Sequence, residues 1–236
     1  MIEEPEDIDC KLWRYMDLAK FMGMVTSNKL FLPRSDLFED DYERTWSRGT
    51  IEKLSNNKPS SPELMSQRPG SFLDQKLTDQ LELRMRSYIS CWHMNEHESF
   101  GMWKLYTKSD QAIALVSSAR QLQAALPEDS AMGKVKYIDY ETEFIPVNDK
   151  APFFHKRKAF EHEREIRALI QPDNINTLRY GVSIPIELEN FVNEIYVSPM
   201  APYWYTEMLR DVLTKYDINI AINQSSLDKP PVLKHA

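Results

Sequence analysis

Seven consecutive residues, Glu161-His162-Glu163-Arg164-Glu165-Ile166-Arg167, alternate in charge and run into Ala168-Leu169-Ile170. On an extended chain, side chains two apart share a face, so Glu161, Glu163, Glu165 and Arg167 would line one side. Carboxylates fixed on a strand can hold a ribose hydroxyl or stabilise a cationic transition state, and a pair two residues apart lets one group face each of two substrates. On a helix the same letters make a solvated face, with Glu163 and Arg167 as an i,i+4 pair contributing about 0.2–0.5 kcal/mol. Ile166, Ala168 and Ile170 alternate as an apolar face, and Pro172 stops the run. That pattern favours the strand.

Two more residues have the right chemistry. Arg14 sits between Trp13 and Tyr15. It is an edge-strand arginine, one stacked on an aromatic ring, or one turned inward to grip a phosphate or carboxylate. Ser90, in Ile89-Ser90-Cys91-Trp92, is either a packed hydroxyl or the lining of a ligand cleft beside Trp92. The five histidines include one i,i+4 pair, His93 and His97, which without a third ligand is a weak metal signal. No metal is therefore expected. Gly-x-Gly-x-x-Gly, Gly-x-x-x-x-Gly-Lys, His-Glu-x-x-His and Gly-x-Ser-x-Gly are all absent from the sequence, which has only six glycines. Two alternatives to glycosyl chemistry stay open. One is a metal-dependent nuclease or phosphodiesterase using Asp40, Glu43 and the Glu161–Glu165 carboxylates, with Lys156, Arg157 and Lys158 on the nucleic-acid backbone. The other is a non-catalytic binding or sensor module.

Several elements must position these groups. Strands are expected at Leu12–Met16, Lys29–Leu32, Tyr88–Met94, Gln111–Ser117, Lys134–Tyr140, Leu178–Ile186, Ile195–Val197 and Ile218–Ile222. Helices are expected from an Asp17 cap through Met24, at Phe72–Arg86, at Ser99–Lys108 with Ser99 as cap, at Ala119–Leu126, at Phe153–Phe160 and at Pro202–Tyr216. The order lacks regular βαβ alternation, so the fold class is α+β, with a mixed or antiparallel central sheet and flanking helices. One domain is expected over residues 12–226, with a flexible lead-in at 1–11, a polar excursion at about 47–70 and a flexible tail at 227–236.

Composition narrows the function classes. The 236 residues are 42% hydrophobic, enough for a proper core, and carry a net charge of −7, which gives no global attraction to nucleic acid or anionic membrane. No stretch is long enough to span a membrane, and the N-terminus is acidic, so a cytoplasmic protein is expected. Cys10 and Cys91 lack Cys-x-x-Cys spacing and read as reduced thiols.

Five motifs in order carry a family resemblance. They are Trp13-Arg14-Tyr15, Leu37-Phe38-Glu39-Asp40 with Tyr42-Glu43, Ile89-Ser90-Cys91-Trp92, Met102-Trp103-Lys104-Leu105-Tyr106 and Glu163-Arg164-Glu165-Ile166-Arg167. Together they resemble the bacterial domain of unknown function 2971, although the family's Asn-Asp-Pro core reads Glu39-Asp40-Asp41 here. The arrangement is also similar to ADP-ribosyltransferases of the Arg–Ser–Glu type, which implies split sheets and NAD as substrate. On that resemblance Arg14, beside Tyr15, binds the NAD phosphates. Ser90 orients the nicotinamide ribose, with Trp92 or Tyr88 near the nicotinamide ring. Glu165 is catalytic at the ribose, and Glu163 orients the acceptor, a protein, a nucleic acid or a small molecule. Simple NAD glycohydrolysis would use the same chemistry, and a toxin or defence role would suit it.

Overall fold

The computed structural model describes residues 2–40, 42–56, 69–172 and 180–227. In chain order the strands are β1 (Lys11–Asp17), β2 (Lys29–Pro33), β3 (Tyr88–Met94), β4 (Ala112–Ser118), β5 (Ala131–Lys134), β6 (Lys136–Ile138), β7 (His155–Arg157), β8 (Glu165–Ile170), β9 (Gly181–Pro185), β10 (Glu194–Val197) and β11 (Ala221–Gln224). The helices are α1 (Leu18–Ser27), α2 (Arg48–Asn56), α3 (Pro69–Met85), α4 (Phe100–Tyr106), α5 (Ala119–Ala125), α6 (Leu188–Phe191) and α7 (Tyr203–Lys215). Short 3-10 turns span Ser35–Leu37, Ala151–Phe154 and Lys158–Glu163. The fold class is α+β, as the irregular order of elements indicates.

The chain divides into two compact units. The first comprises Met1–Glu6, Phe31–Cys91 and Leu126–Val182; the second comprises Asp7–Leu30, Trp92–Ala125 and Ser183–Ala236. In the second unit β1 pairs antiparallel with β4, β4 antiparallel with β10, and β10 parallel with β11. The last residues of β3 also pair antiparallel with β1, Trp13 opposite His93. Alternation puts Trp13 and Tyr15 on one face of β1, where they meet Met102 and Trp103 of α4. Ser99 caps α4 as expected, its Oγ accepting from the Met102 amide at 3.4 Å.

In the first unit β8 pairs antiparallel with β5, and β6 pairs parallel with β7. Every residue of β8 is buried. One face carries Ile166, Ala168 and Ile170; the other carries Glu165, Arg167 and Leu169. Leu169 packs with Ile89, Phe153 and Phe154. A strand covered on both faces reads as a nearly continuous apolar run, and β8 departs from that pattern only at its two charges.

Three expected elements differ. The charged run is extended only from Glu165, because Glu161 and Glu163 lie in a 3-10 turn that ends at Arg164 with φ 42°. Phe153–Phe160 is not a helix but a 3-10 turn, strand β7 and the start of a second turn. The extended stretch turns Lys156 inward to carboxylates from distant segments, a gain no local spacing records. The single strand expected at Lys134–Tyr140 is split between β5 and β6 at Val135, whose amide donates to the Glu165 carbonyl at 2.9 Å. The first part of the excursion at 47–70 is α2, and its residues 57–68 lie outside the described residues, as do residues 228–236 of the tail and 178–179 of the Leu178–Ile186 strand.

Candidate functional site

The charged side chains of the first unit meet in one buried cluster. Arg167, on β8, spans two carboxylates: Nε donates to Glu165 Oε2 at 2.6 Å and one terminal nitrogen donates to Glu43 Oε2 at 2.9 Å. Its other terminal nitrogen donates to the Phe153 carbonyl at 2.9 Å. The Lys156 ammonium lies 2.8 Å from Glu165 Oε1 and 2.8 Å from Glu43 Oε1, and also donates to Glu163. Arg44 pairs with Glu43 at 3.2 Å and donates to the Asp40 carbonyl at 2.8 Å. Three acidic and three basic side chains share the cluster, and none of the six is more than 6% exposed.

Burial at this level forces a choice of protonation state on each group. Burial raises the Glu163 carboxyl, and the hydrogen bond and negative charge of Glu165 raise it further, to about 7, against the pull of Lys156. Burial works on Glu165 too, but Arg167, the Glu163 hydrogen bond and Lys156 outweigh it and hold this carboxyl well below the usual range. Two carboxyl groups in contact therefore titrate far apart. The Glu165 amide is fixed as well, donating to the Tyr137 hydroxyl at 2.8 Å.

The candidate site residues fall in different units. Glu163, Glu165 and Ser90 belong to the first; Arg14, Tyr15 and Trp92 belong to the second. Within the first unit the structure joins Glu163 to Glu165 through Lys156, and Ser90 is buried on β3. Within the second unit the Arg14 guanidinium lies 5.5 Å from the centre of the Trp92 ring, the stacked arrangement among the alternatives the sequence left open. Trp92 meets Phe191 edge-on at 5.6 Å. The Tyr15 hydroxyl accepts from the Ser99 amide at 2.8 Å, and its ring packs edge-on against Trp103 at 4.9 Å. Glu161 is exposed.

Sequence reasoning did not place Lys156 among these carboxylates. The available signal was a basic run, His155-Lys156-Arg157-Lys158, enclosed between Phe153-Phe154 and Phe160. Among the described residues no group of three or more His, Cys, Asp or Glu side chains could hold a metal ion. The carboxylates of the nuclease reading are instead engaged by cations of the chain itself, Asp40 by Arg157 at 3.1 Å and Glu43 by Lys156 and Arg167. Among the described residues no helix is long and apolar enough to cross a membrane.

No family model matches the chain, and no curated protein does. Similar solved structures include DarT from Thermus sp. 2.9 in complexes with NAD+, with carba-NAD+ and with ADP-ribosylated ssDNA. The identity is 11% to 12%, the alignments cover 94% to 95% of this chain and 97% to 98% of the other, and the TM-score is 0.43. That score lies below the level that marks a shared fold, so the site is read from its own residues.

Proposed function

We propose that the chain is an enzyme that breaks the nicotinamide–ribose bond of NAD and passes the ADP-ribosyl group to an acceptor, or to water. The observation that carries this reading is the Glu163–Glu165 pair, with one carboxyl held ionised and its neighbour titrating at about 7. A pair of carboxyl groups whose surroundings push their titrations apart can act as stabiliser and proton acceptor in glycosyl chemistry, and the two are here brought onto one Lys156 ammonium. Glu165, always ionised, stabilises the oxocarbenium-like ribose as nicotinamide leaves. Glu163, half ionised near neutrality, accepts the proton of the incoming nucleophile. For Arg14, Tyr15, Ser90 and Trp92 the assignment to the nucleotide is carried by the motif resemblance. The acceptor is a protein, a nucleic acid or a small molecule. NAD enters as substrate, and no metal is required by this chemistry.

The test is nicotinamide release from NAD by the purified chain, with chelator present, followed by incubation of labelled NAD with protein and nucleic-acid fractions. Glu165→Gln keeps the shape and one acceptor oxygen but leaves Lys156 and Arg167 with one carboxylate fewer, so near-ultraviolet circular dichroism checks that the variant is folded before its activity is read. Its turnover is expected to fall by about 100-fold or more, in line with loss of a fixed electrostatic partner at a reacting centre. No release and no labelled product from the unaltered chain between pH 5 and 9 would sink the proposal. So would a folded Glu165→Gln variant of unchanged activity.

A further inference from the structure

Lys156 stands where carboxylates from three segments meet. Glu43 comes from the stretch before α2, Glu163 from the 3-10 turn, and Glu165 from β8. An ammonium has three protons, and three carboxylates use them all. Nζ also lies over the face of the Phe160 ring, 4.7 Å from its centre, a cation–π contact. Stability alone does not call for such a construction, because a buried ion cluster is often matched or exceeded by apolar residues of similar volume.

We propose that Lys156 is a positioning residue for the Glu163–Glu165 pair, holding both carboxylates on one ammonium so that they work on the same reacting centre. Its chemical consequence rests on the ADP-ribosyl reading above; its effect on Glu163 does not. In the reaction, the bond between ribose C1′ and the nicotinamide nitrogen breaks, and its electron pair leaves with nicotinamide. The acceptor heteroatom bonds to C1′, and its proton goes to Glu163. Lys156 is itself neither base nor nucleophile. Burial disfavours its charge, but Glu165, Glu43 and Glu163 outweigh burial and hold it protonated above the usual lysine range.

Lys156 from β7 and Glu165 from β8 act on Glu163 directly, Tyr137 from β6 is within electrostatic reach of it, and Glu43 and Arg167 belong to the same cluster through Lys156 and Glu165. Lys156 contacts Glu163, and its charge favours the ionised carboxylate. Without that charge Glu163 keeps its proton to higher pH.

The experiment uses the full chain with carboxyl-labelled glutamate, followed by carbon-detected NMR from pH 5 to 9, with Glu163→Gln assigning the signal. In Lys156→Met the Glu163 midpoint is expected to rise by about one pH unit or more, the usual effect of losing an opposite charge in contact. Lys156→Arg is expected to bring it back. The acid limb of transfer activity should move in the same direction, with nicotinamide release recovered at high pH. A Glu163 midpoint unmoved in Lys156→Met would overturn the proposal. If that variant does not fold, Glu43→Gln decides. It removes one competing carboxylate from Lys156, so the Glu163 midpoint should fall, and an unmoved midpoint again overturns the proposal. A chain that releases no nicotinamide would sink the functional reading, while the titration would still decide the role of Lys156.

Discussion

Both units have apolar cores, but among the described residues only the first adds a buried ion cluster to its own. In the second, Trp13, Tyr15 and Trp103 pack against one another, and each polar tip finds a partner. The Trp13 ring nitrogen donates to the Asn95 carbonyl at 2.8 Å, the Trp103 ring nitrogen to Glu98 at 3.1 Å, and the Tyr15 hydroxyl accepts from Ser99. In the first, Glu43, Lys156, Glu163, Glu165 and Arg167 satisfy one another as ions. The aromatic interior gains from area removed from water, which no proton changes. The ionic interior gains from charge balance, so the loss of one charge leaves others stranded in a medium that cannot solvate them. The difference makes the interior of the first unit the more sensitive to protonation.

The largest test of this contrast is Arg167→Met. It strands Glu165 and Glu43 in the buried cluster and should cost about 3–5 kcal/mol of stability, read by urea unfolding. A cost below about 1 kcal/mol would mean that the first unit does not depend on its ions. The next is pH. Glu163 titrates at about 7 in the folded chain against an ordinary 4.5, so the folded state holds an extra proton between those values. Its contribution to stability falls as pH rises through that window and then levels off. Glu165 is depressed, so its contribution is present above 4.5 and is lost as pH falls through its lower folded value. Amide exchange, corrected for its intrinsic pH dependence, should show β8 protection declining from pH 5 to 7 while β4 protection holds. Parallel behaviour of β4 and β8 would erase the contrast. The smallest is Tyr15→Phe, which takes the acceptor from the Ser99 amide and should cost about 1 kcal/mol by thermal unfolding. A cost comparable with Arg167→Met would place the second unit under the same polar control as the first.

Much of the aromatic interior was legible, because it obeys local period. Tyr88–Met94 and the Ser99 cap come directly from alternation and capping chemistry, and the observed β3 and α4 agree with them. The strand character of Glu165–Ile170 was equally plain from Ile166, Ala168 and Ile170. The ionic interior was half legible. Alternation put Glu165 and Arg167 on one face, but Glu43 and Lys156 join them from 124 and 9–11 residues away respectively. Long-range charge pairing leaves no periodic trace, and the phenylalanines on either side of the basic run at Lys156 imitate a helix. The same limit hides the division into two units, since the units exchange the chain at Leu30–Phe31, Cys91–Trp92, Ala125–Leu126 and Val182–Ser183 without marked shifts in composition.

Arg164, at φ 42°, occupies the left-handed region that a side-chain-bearing residue enters at some cost. It works as a phase shifter between two kinds of backbone. Counting by twos from Glu165 already yields Glu163, yet Glu163 arrives at Lys156 from a turn and not from a strand. The separation of the acid pair is therefore set by one dihedral angle. A glycine at 164 would keep the phase at little steric cost, a β-branched residue would resist it, and a one-residue insertion would swing a different side chain towards the ammonium.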